Sequence, residues 1–184
     1  SRLFPIKQLS KIYTSRIKSK SFSAHQSYPN FKIQLCNYLN QTRGLHINPT
    51  NLLITRSVQL STFVIAKALL NTNDTVIVGQ PSFYTSNMIF QHAGAQIKSI
   101  PVDQEGIQVE ELEKLCKQNK VRLLYLTPQH HYPTTVTLSA ERRMAVLDLA
   151  NQYGFAIIED DYDYDFNYNN APILPLASID HNGM

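Results

Sequence analysis

The chain has no tryptophan, six glycines and two cysteines among its 184 residues. So little glycine leaves few places where the backbone turns left-handed without steric cost, which makes each glycine at a strand or helix end informative. Cys36 and Cys116 lack metal-ligand spacing and read as buried free thiols in a reducing compartment. Long apolar runs are missing too. The strongest, Phe63 to Leu70, is broken by Lys67, so no segment is expected to span a bilayer, and Ser1 to Pro5 carries no apolar signal core. G-x-S-x-G, G-x-G-x-x-G and the phosphate-loop lysine motif are all absent, which leaves the enzyme classes built on them without their local signatures. The expectation is a cytoplasmic protein with no membrane partner. Its 43% hydrophobic content is enough for a packed core.

The most uneven absence is of acid. Residues 1 to 73 carry ten basic side chains and no Asp or Glu; residues 74 to 184 carry seven basic and fourteen acidic ones. That asymmetry suits either nucleic acid facing the front half or a ligand with separated charges. A direct nucleic-acid-binding module would rest on this charge alone, because no DNA- or RNA-binding motif accompanies it.

Periodicity divides the chain at about residue 45. Residues 1–45 read as a basic arm, with a short helix around Ile6 to Tyr13 and a first long helix over Phe31 to Thr42 that ends at Gly44. Residues 46–184 alternate short apolar runs with amphipathic segments. Strands are expected at Asn51–Thr55, Thr75–Val78, Gln96–Val102, Val121–Leu126 and Ala156–Glu159. Helices are expected at Ser57–Leu70, Tyr84–Ala93 and Val109–Gln118, and from an N-cap at Ser139 to Tyr153 ahead of Gly154. Such alternation predicts an α/β fold, a predominantly parallel sheet of about five strands with helices on both faces.

Ligands of open α/β sheets bind beyond the carboxyl ends of the strands, and four segments fall there. Arg56-Ser57-Val58-Gln59 opens a helix: Ser57 either caps it or shares an anion with the free backbone N–H groups. Pro81-Ser82-Phe83-Tyr84 and Thr127 to Thr135 follow two further strands. In Asp160-Asp161-Tyr162-Asp163, Asp160 and Tyr162 alternate along extended chain, so one side receives a carboxylate and a phenol. Asp161, Asp163 and Asp165 have the opening spacing of a calcium loop, but Phe166 stands at its glycine position and Pro172 at its bidentate glutamate, so that reading fails. His130 and His131 are adjacent and lack a nearby ligand partner, which favours hydrogen-bonded histidines over a metal site.

Taken together, these segments resemble the pyridoxal-phosphate-binding aminotransferase fold (class I/II, fold type I), and most closely the effector domain of MocR-type regulators in the GntR family. Ile157-Ile158-Glu159-Asp160-Asp161-Tyr162-Asp163, with Asp165-Phe166 and Tyr168, is similar to the family's I-I-E-D-D-Y-D-x-E-F-x-Y. Thr127 to Thr135 resembles T-P-x-H-Q-x-P-T-G and is followed by Ser139 and Arg142-Arg143. Thr55 to Gln59 resembles T-x-G-x-Q, and Pro81-Ser82-Phe83 resembles P-G-Y. Leu3-Phe4-Pro5 and Tyr38-Leu39 through Arg43-Gly44 also match landmarks. Departures from the pattern include Ser57 and Thr135, which stand where the family has glycine, and His131, where it has glutamine.

The resemblance implies pyridoxal 5'-phosphate as cofactor. Asp160 would face the ring nitrogen, Tyr162 the phenolic oxygen and Phe83 the ring, while Ser57, Val58 and Gln59 would meet the phosphate. It implies a domain that senses an amine or amino acid by aldimine exchange, within a protein that touches DNA through a separate domain preceding Ser1. The alternative is a piece of a genuine class I/II aminotransferase. In the family the Schiff-base lysine and the substrate-binding arginine lie further beyond Asp160 than Met184 does. The large domain is therefore expected to be incomplete here, with no catalytic residue of its own. Uncovered strand edges are then expected to favour a homodimer or a strand-exchanged oligomer.

Overall fold

The structure is a computed structural model and describes residues 4–18, 27–166 and 173–180. It forms two compact units, Ser1–Leu53 and Ile54–Met184.

In the first unit, α1 (Ile6–Lys18) and α2 (Ser27–Arg43) take the two expected helices and extend both. Gly44, at φ 62°, ends α2 in the left-handed conformation that glycine adopts freely. The chain then folds back on α2. Asn40 exchanges two hydrogen bonds with the backbone of Ile47, at 2.9 and 3.0 Å, and Lys32 Nζ donates to the Leu52 carbonyl at 2.7 Å.

Asn51–Thr55 is not a strand. The Asn48 side chain accepts from Thr50 N, and Asn51 Oδ1 accepts from Asn48 N, both at 2.8 Å. These local bonds hold the backbone in a turn, and Leu53 points to solvent. Short Asx-type bonds here outcompete the β propensity of the Leu-Leu-Ile run.

The second unit carries a five-stranded sheet in the order β3-β2-β1-β4-β5, with β1 Thr75–Gln80, β2 Gln96–Asp103, β3 Gly106–Ile107, β4 Val121–Leu126 and β5 Ala156–Glu159. β1 pairs in parallel with β2 and β4, and β4 with β5; only the two-residue β3 runs antiparallel, across the turn from β2. The helices are α3 (Val58–Leu69), α4 (Tyr84–His92), α5 (Val109–Gln118) and α6 (Ala140–Tyr153). Ser57 caps α3 through Leu60 N, Ser139 caps α6 through Arg142 N, and Gly154 at φ 69° closes α6.

Alternation along the strands fills two layers. Val76, Val78, Leu123 and Tyr125 pack against Ala66 and Leu70 of the α3 segment and Phe90 of α4. Ile77, Ile100, Leu124 and Leu126 pack on Leu112 and Cys116 of α5 and on Val146, Leu147 and Ala150 of α6. Each such side chain taken out of water contributes roughly 1.5–3 kcal/mol, which explains why runs of consecutive apolar residues, buried on both faces, mark these strands. Cys36 and Cys116 are buried free thiols. Among the described residues no helix is long and apolar enough to cross a membrane.

Candidate functional site

The carboxyl ends of β1, β4 and β5 and the first turn of α3 surround a cavity of about 260 Å³. Asp160, Tyr162, Phe83, Val58 and Gln59 all line it. Ser57 stands one residue before this lining, its Oγ accepting from Leu60 N at 3.1 Å. The cap reading of Ser57 therefore holds, and its own O–H proton stays available to an anion. At φ −163° its backbone is extended, a conformation open to any residue, so serine replaces glycine there without strain.

Asp160 continues the β5 ladder, its N–H donating to the Leu126 carbonyl at 2.8 Å. Its side chain thus shares a sheet face with Ile158 and, across the ladder, with Tyr125, whose register partner is Ile158. The Tyr125 hydroxyl donates to Asp160 Oδ2 at 2.7 Å. Burial holds the Asp160 carboxyl above the usual carboxylate range, against the opposing pull of the Tyr125 bond, and Asp163 raises it further. A half-buried acid in that condition gains from a cation brought to it. The Tyr162 hydroxyl donates to the His130 carbonyl at 3.1 Å, and burial pushes its ionisation up, so it remains a donor. The Phe83 ring meets that of Tyr132 edge-on, with centroids 5.3 Å apart.

Both adjacent histidines are hydrogen-bonded. His130 Nδ1 lies 2.7 Å from Asp163 Oδ2. His131 Nε2–H donates to the Pro81 carbonyl at 2.7 Å, and burial pushes its imidazole down, favouring the neutral ring. His131 also packs where Gly79 has no side chain: a Cβ on Gly79 would lie 2.5 Å from its Cε1. That close approach ties the Thr127–Thr135 loop to the end of β1.

Thr135, at the family's glycine position, holds φ 62°. A β-branched residue there carries a steric cost of roughly 1–2 kcal/mol. Thr135→Gly is expected to raise stability by about 0.5–1 kcal/mol, the remainder being lost to the greater freedom of glycine in the unfolded chain. Urea midpoints would measure this; an unchanged or lower midpoint would count against strain at Thr135.

On the opposite face of β5's end, Glu159 accepts from Leu176 N at 2.9 Å and from Ala177 N at 3.2 Å. Burial, with the nearby Asp161 charge, pushes its carboxyl up to about 7. Between about 4.5 and 7 the folded protein binds this proton and the unfolded chain does not. The contribution is therefore full below about 4.5 and is lost as pH rises through about 7, at most roughly 3 kcal/mol. Denaturant titrations across that window should show stability falling with pH in the parent and a flatter profile in Glu159→Gln. Equal slopes in the two proteins would remove Glu159 as the cause.

Sequence reasoning had not singled out Tyr125, Thr127 or Tyr132, which also line the cavity. Tyr125 sits in an apolar strand, where the buried phenol needing a partner is the signal that points to it. Tyr132 and Thr127 lie within a loop already selected; Thr127 Oγ1 accepts from Tyr132 N at 3.1 Å and shapes the floor.

The fold and the cavity define a parallel α/β domain with its site beyond the carboxyl ends of the strands, at the reversal between β1 and β4. The chain belongs to the aminotransferase class I and II family, whose model matches residues 9–179. It is 31% identical over 141 residues to the uncharacterized HTH-type transcriptional regulator YisV of Bacillus subtilis, covering 77% of this chain and 29% of that one. It is 25% identical over 190 residues to aromatic-amino-acid aminotransferase 1 of Thermococcus litoralis, covering 98% and 46%. Among solved structures, Pyrococcus horikoshii kynurenine aminotransferase, in complex with PMP, superposes with a TM-score of 0.88 at 27% identity, covering 98% of this chain and 47% of that one. The chain thus spans less than half the length of each of these proteins.

Proposed function

We propose that this chain is the aminotransferase-like effector domain of a transcriptional regulator, that it binds pyridoxal 5'-phosphate, and that an amine or amino acid recognised there shifts DNA binding by another part of the protein. The observation that carries the reading is the convergence on one cavity of an acid and a phenol from the end of β5 with the first turn of α3. Asp160 pairs with the protonated ring nitrogen, relieving its own desolvation. Phe83 lies against the ring. Tyr162 turns its hydroxyl from the His130 carbonyl to the phenolic oxygen. Val58 and Gln59 present N–H groups that have no partner one turn earlier, and Ser57 adds a hydroxyl, for the phosphate. When bound, the cofactor supplies an electron sink toward amines. The kinship with an HTH-type regulator supports the regulatory reading. We place the protein in the cytoplasm as a homodimer.

A second reading, a true class I/II aminotransferase, is favoured by the near-complete coverage of this chain in the Thermococcus and Pyrococcus matches. The deciding experiment uses the full-length protein. A regulator retains specific DNA in a mobility-shift assay, and an amine changes that retention only after loading with pyridoxal phosphate. Turnover of amino acid and keto acid without DNA retention would establish the enzyme instead.

A further inference from the structure

We propose that Tyr125 is a positioning residue for Asp160: its hydroxyl fixes one carboxylate oxygen so that the other is presented to a protonated ring nitrogen in the cavity. This deepens the proposed cofactor site and rests on that reading. The placement follows from the sheet. Tyr125 and Ile158 are register partners on adjacent parallel strands, so Tyr125 and Asp160 are diagonal neighbours on one face, within reach of a long side chain. The Asp160 N–H is tied to the Leu126 carbonyl, which fixes the backbone beneath the carboxylate.

The phenol itself is buried and closely surrounded. It is 4% exposed, its ring meets Phe90 edge-on at 5.7 Å, and the buried Ser86 side chain, 2% exposed, acts on its hydroxyl by favouring ionisation against the stronger effect of burial. Ser86 beside the phenol and the phenol's own bond to Asp160 make a series, Ser86 to Tyr125 to Asp160, in which a polarised phenol is a stronger donor. Burial and the Asp160 charge push the ionisation of the Tyr125 hydroxyl up, so it stays a donor. A neutral donor also leaves the negative charge of Asp160 uncancelled, so that charge remains available to the ligand. A cation in the place of Tyr125 would compete for it.

Two measurements on the full-length protein test this. In the unliganded protein, carboxyl NMR should show the Asp160 midpoint rising by about one pH unit in Tyr125→Phe, because an ionised carboxylate loses a donor. Ser86→Ala should move it in the same direction by less. Affinity for pyridoxamine 5'-phosphate, read by calorimetry, should fall about tenfold in Tyr125→Phe, with Asp160→Ala as the control. An unmoved Asp160 midpoint in both variants, with their thermal transitions intact, would overturn the role of Tyr125. If Asp160→Ala weakens binding and Tyr125→Phe does not, the positioning inference fails and the cofactor reading stands. If Asp160→Ala leaves binding unchanged, the cofactor reading fails, and the titration alone then decides whether Tyr125 tunes Asp160. Should Tyr125→Phe unfold, Ser86→Ala carries the same test: a shifted Asp160 midpoint supports the series and an unshifted one removes it.

Discussion

Replacement of Arg143 by methionine is expected to lower stability by about 3–5 kcal/mol, a fall of roughly 10 °C in Tm for a domain of this size. Arg143 is 2% exposed. Its Nε donates to the Leu138 carbonyl, Nη1 to that of Leu174 and Nη2 to that of Pro128, each at 3.0 Å, and Nη2 also reaches Gln129 Oε1 at 3.4 Å. Glu159 Oε1 lies 3.9 Å from Nη1. One guanidinium thus ties the loop after β4, the start of α6 and the segment around Leu174 to the end of β5. Methionine fills similar space but leaves those acceptors without partners, which costs more than the bonds themselves contributed. Above about pH 7, where Glu159 ionises, the loss should be partly recovered in Arg143→Met combined with Glu159→Gln, because the stranded carboxylate is then neutral. Thermal melts of the single and double variants would check both points, and a single-variant loss below 1 kcal/mol would show that the bonds are dispensable.

The second large effect is on ligand binding. Asp160→Ala is expected to weaken pyridoxamine phosphate by about a hundredfold or more, since a pyridinium in a half-buried cavity would lose its counter-charge. Asp160→Asn separates charge from shape: it keeps the volume and one acceptor oxygen, but should bind nearly as poorly because the neutral amide no longer favours the protonated nitrogen. Stability should move the other way. Burial raises the Asp160 carboxyl toward its neutral form, so removing the acid relieves a desolvation cost, and the variant should melt at or slightly above the parent. Weaker binding with undiminished stability is the pattern of a residue held at a cost for its ligand. Calorimetry and melting on the same samples would reveal it, and comparable affinity in Asp160→Asn and the parent would sink the assignment.

Much of the second unit was legible in the sequence. Val121–Leu126, Ala156–Glu159 and the helix between Ser139 and Gly154 lie where apolar runs and caps placed them, because burial on both sheet faces leaves consecutive apolar residues. One expected strand is absent and one short strand was not expected, each for a local reason. Asn48 and Asn51 tie up backbone groups that a strand at Asn51–Thr55 would need. Gly106–Ile107 is too short to show an alternating pattern. In the site, Asp160 and Tyr162 were readable because period-two spacing at a strand end needs no tertiary knowledge. Tyr125 was not, since the bond that gives it meaning joins residues 35 positions apart. Thr135 was visible as a departure from the family pattern, but its positive φ is a property of the folded loop.

The β1–β4 ladder steps from Thr75 opposite Val121 to Val76 opposite Leu123, leaving Arg122 as the extra residue of a bulge, its Nε donating to the Leu69 carbonyl at 2.9 Å. Val121 consequently packs with Leu124 and Leu126 on the α5–α6 side, whereas uninterrupted alternation would set it beside Leu123 and Tyr125. Arg122 therefore acts as a phase shifter. Beyond the bulge the strand alternates normally, with Leu124 and Leu126 on the layer that holds Val121 and with Leu123 and Tyr125 on the other. A chain shortened by that one residue would have to give up either the seat of Val121 or the aim of the phenol at Asp160.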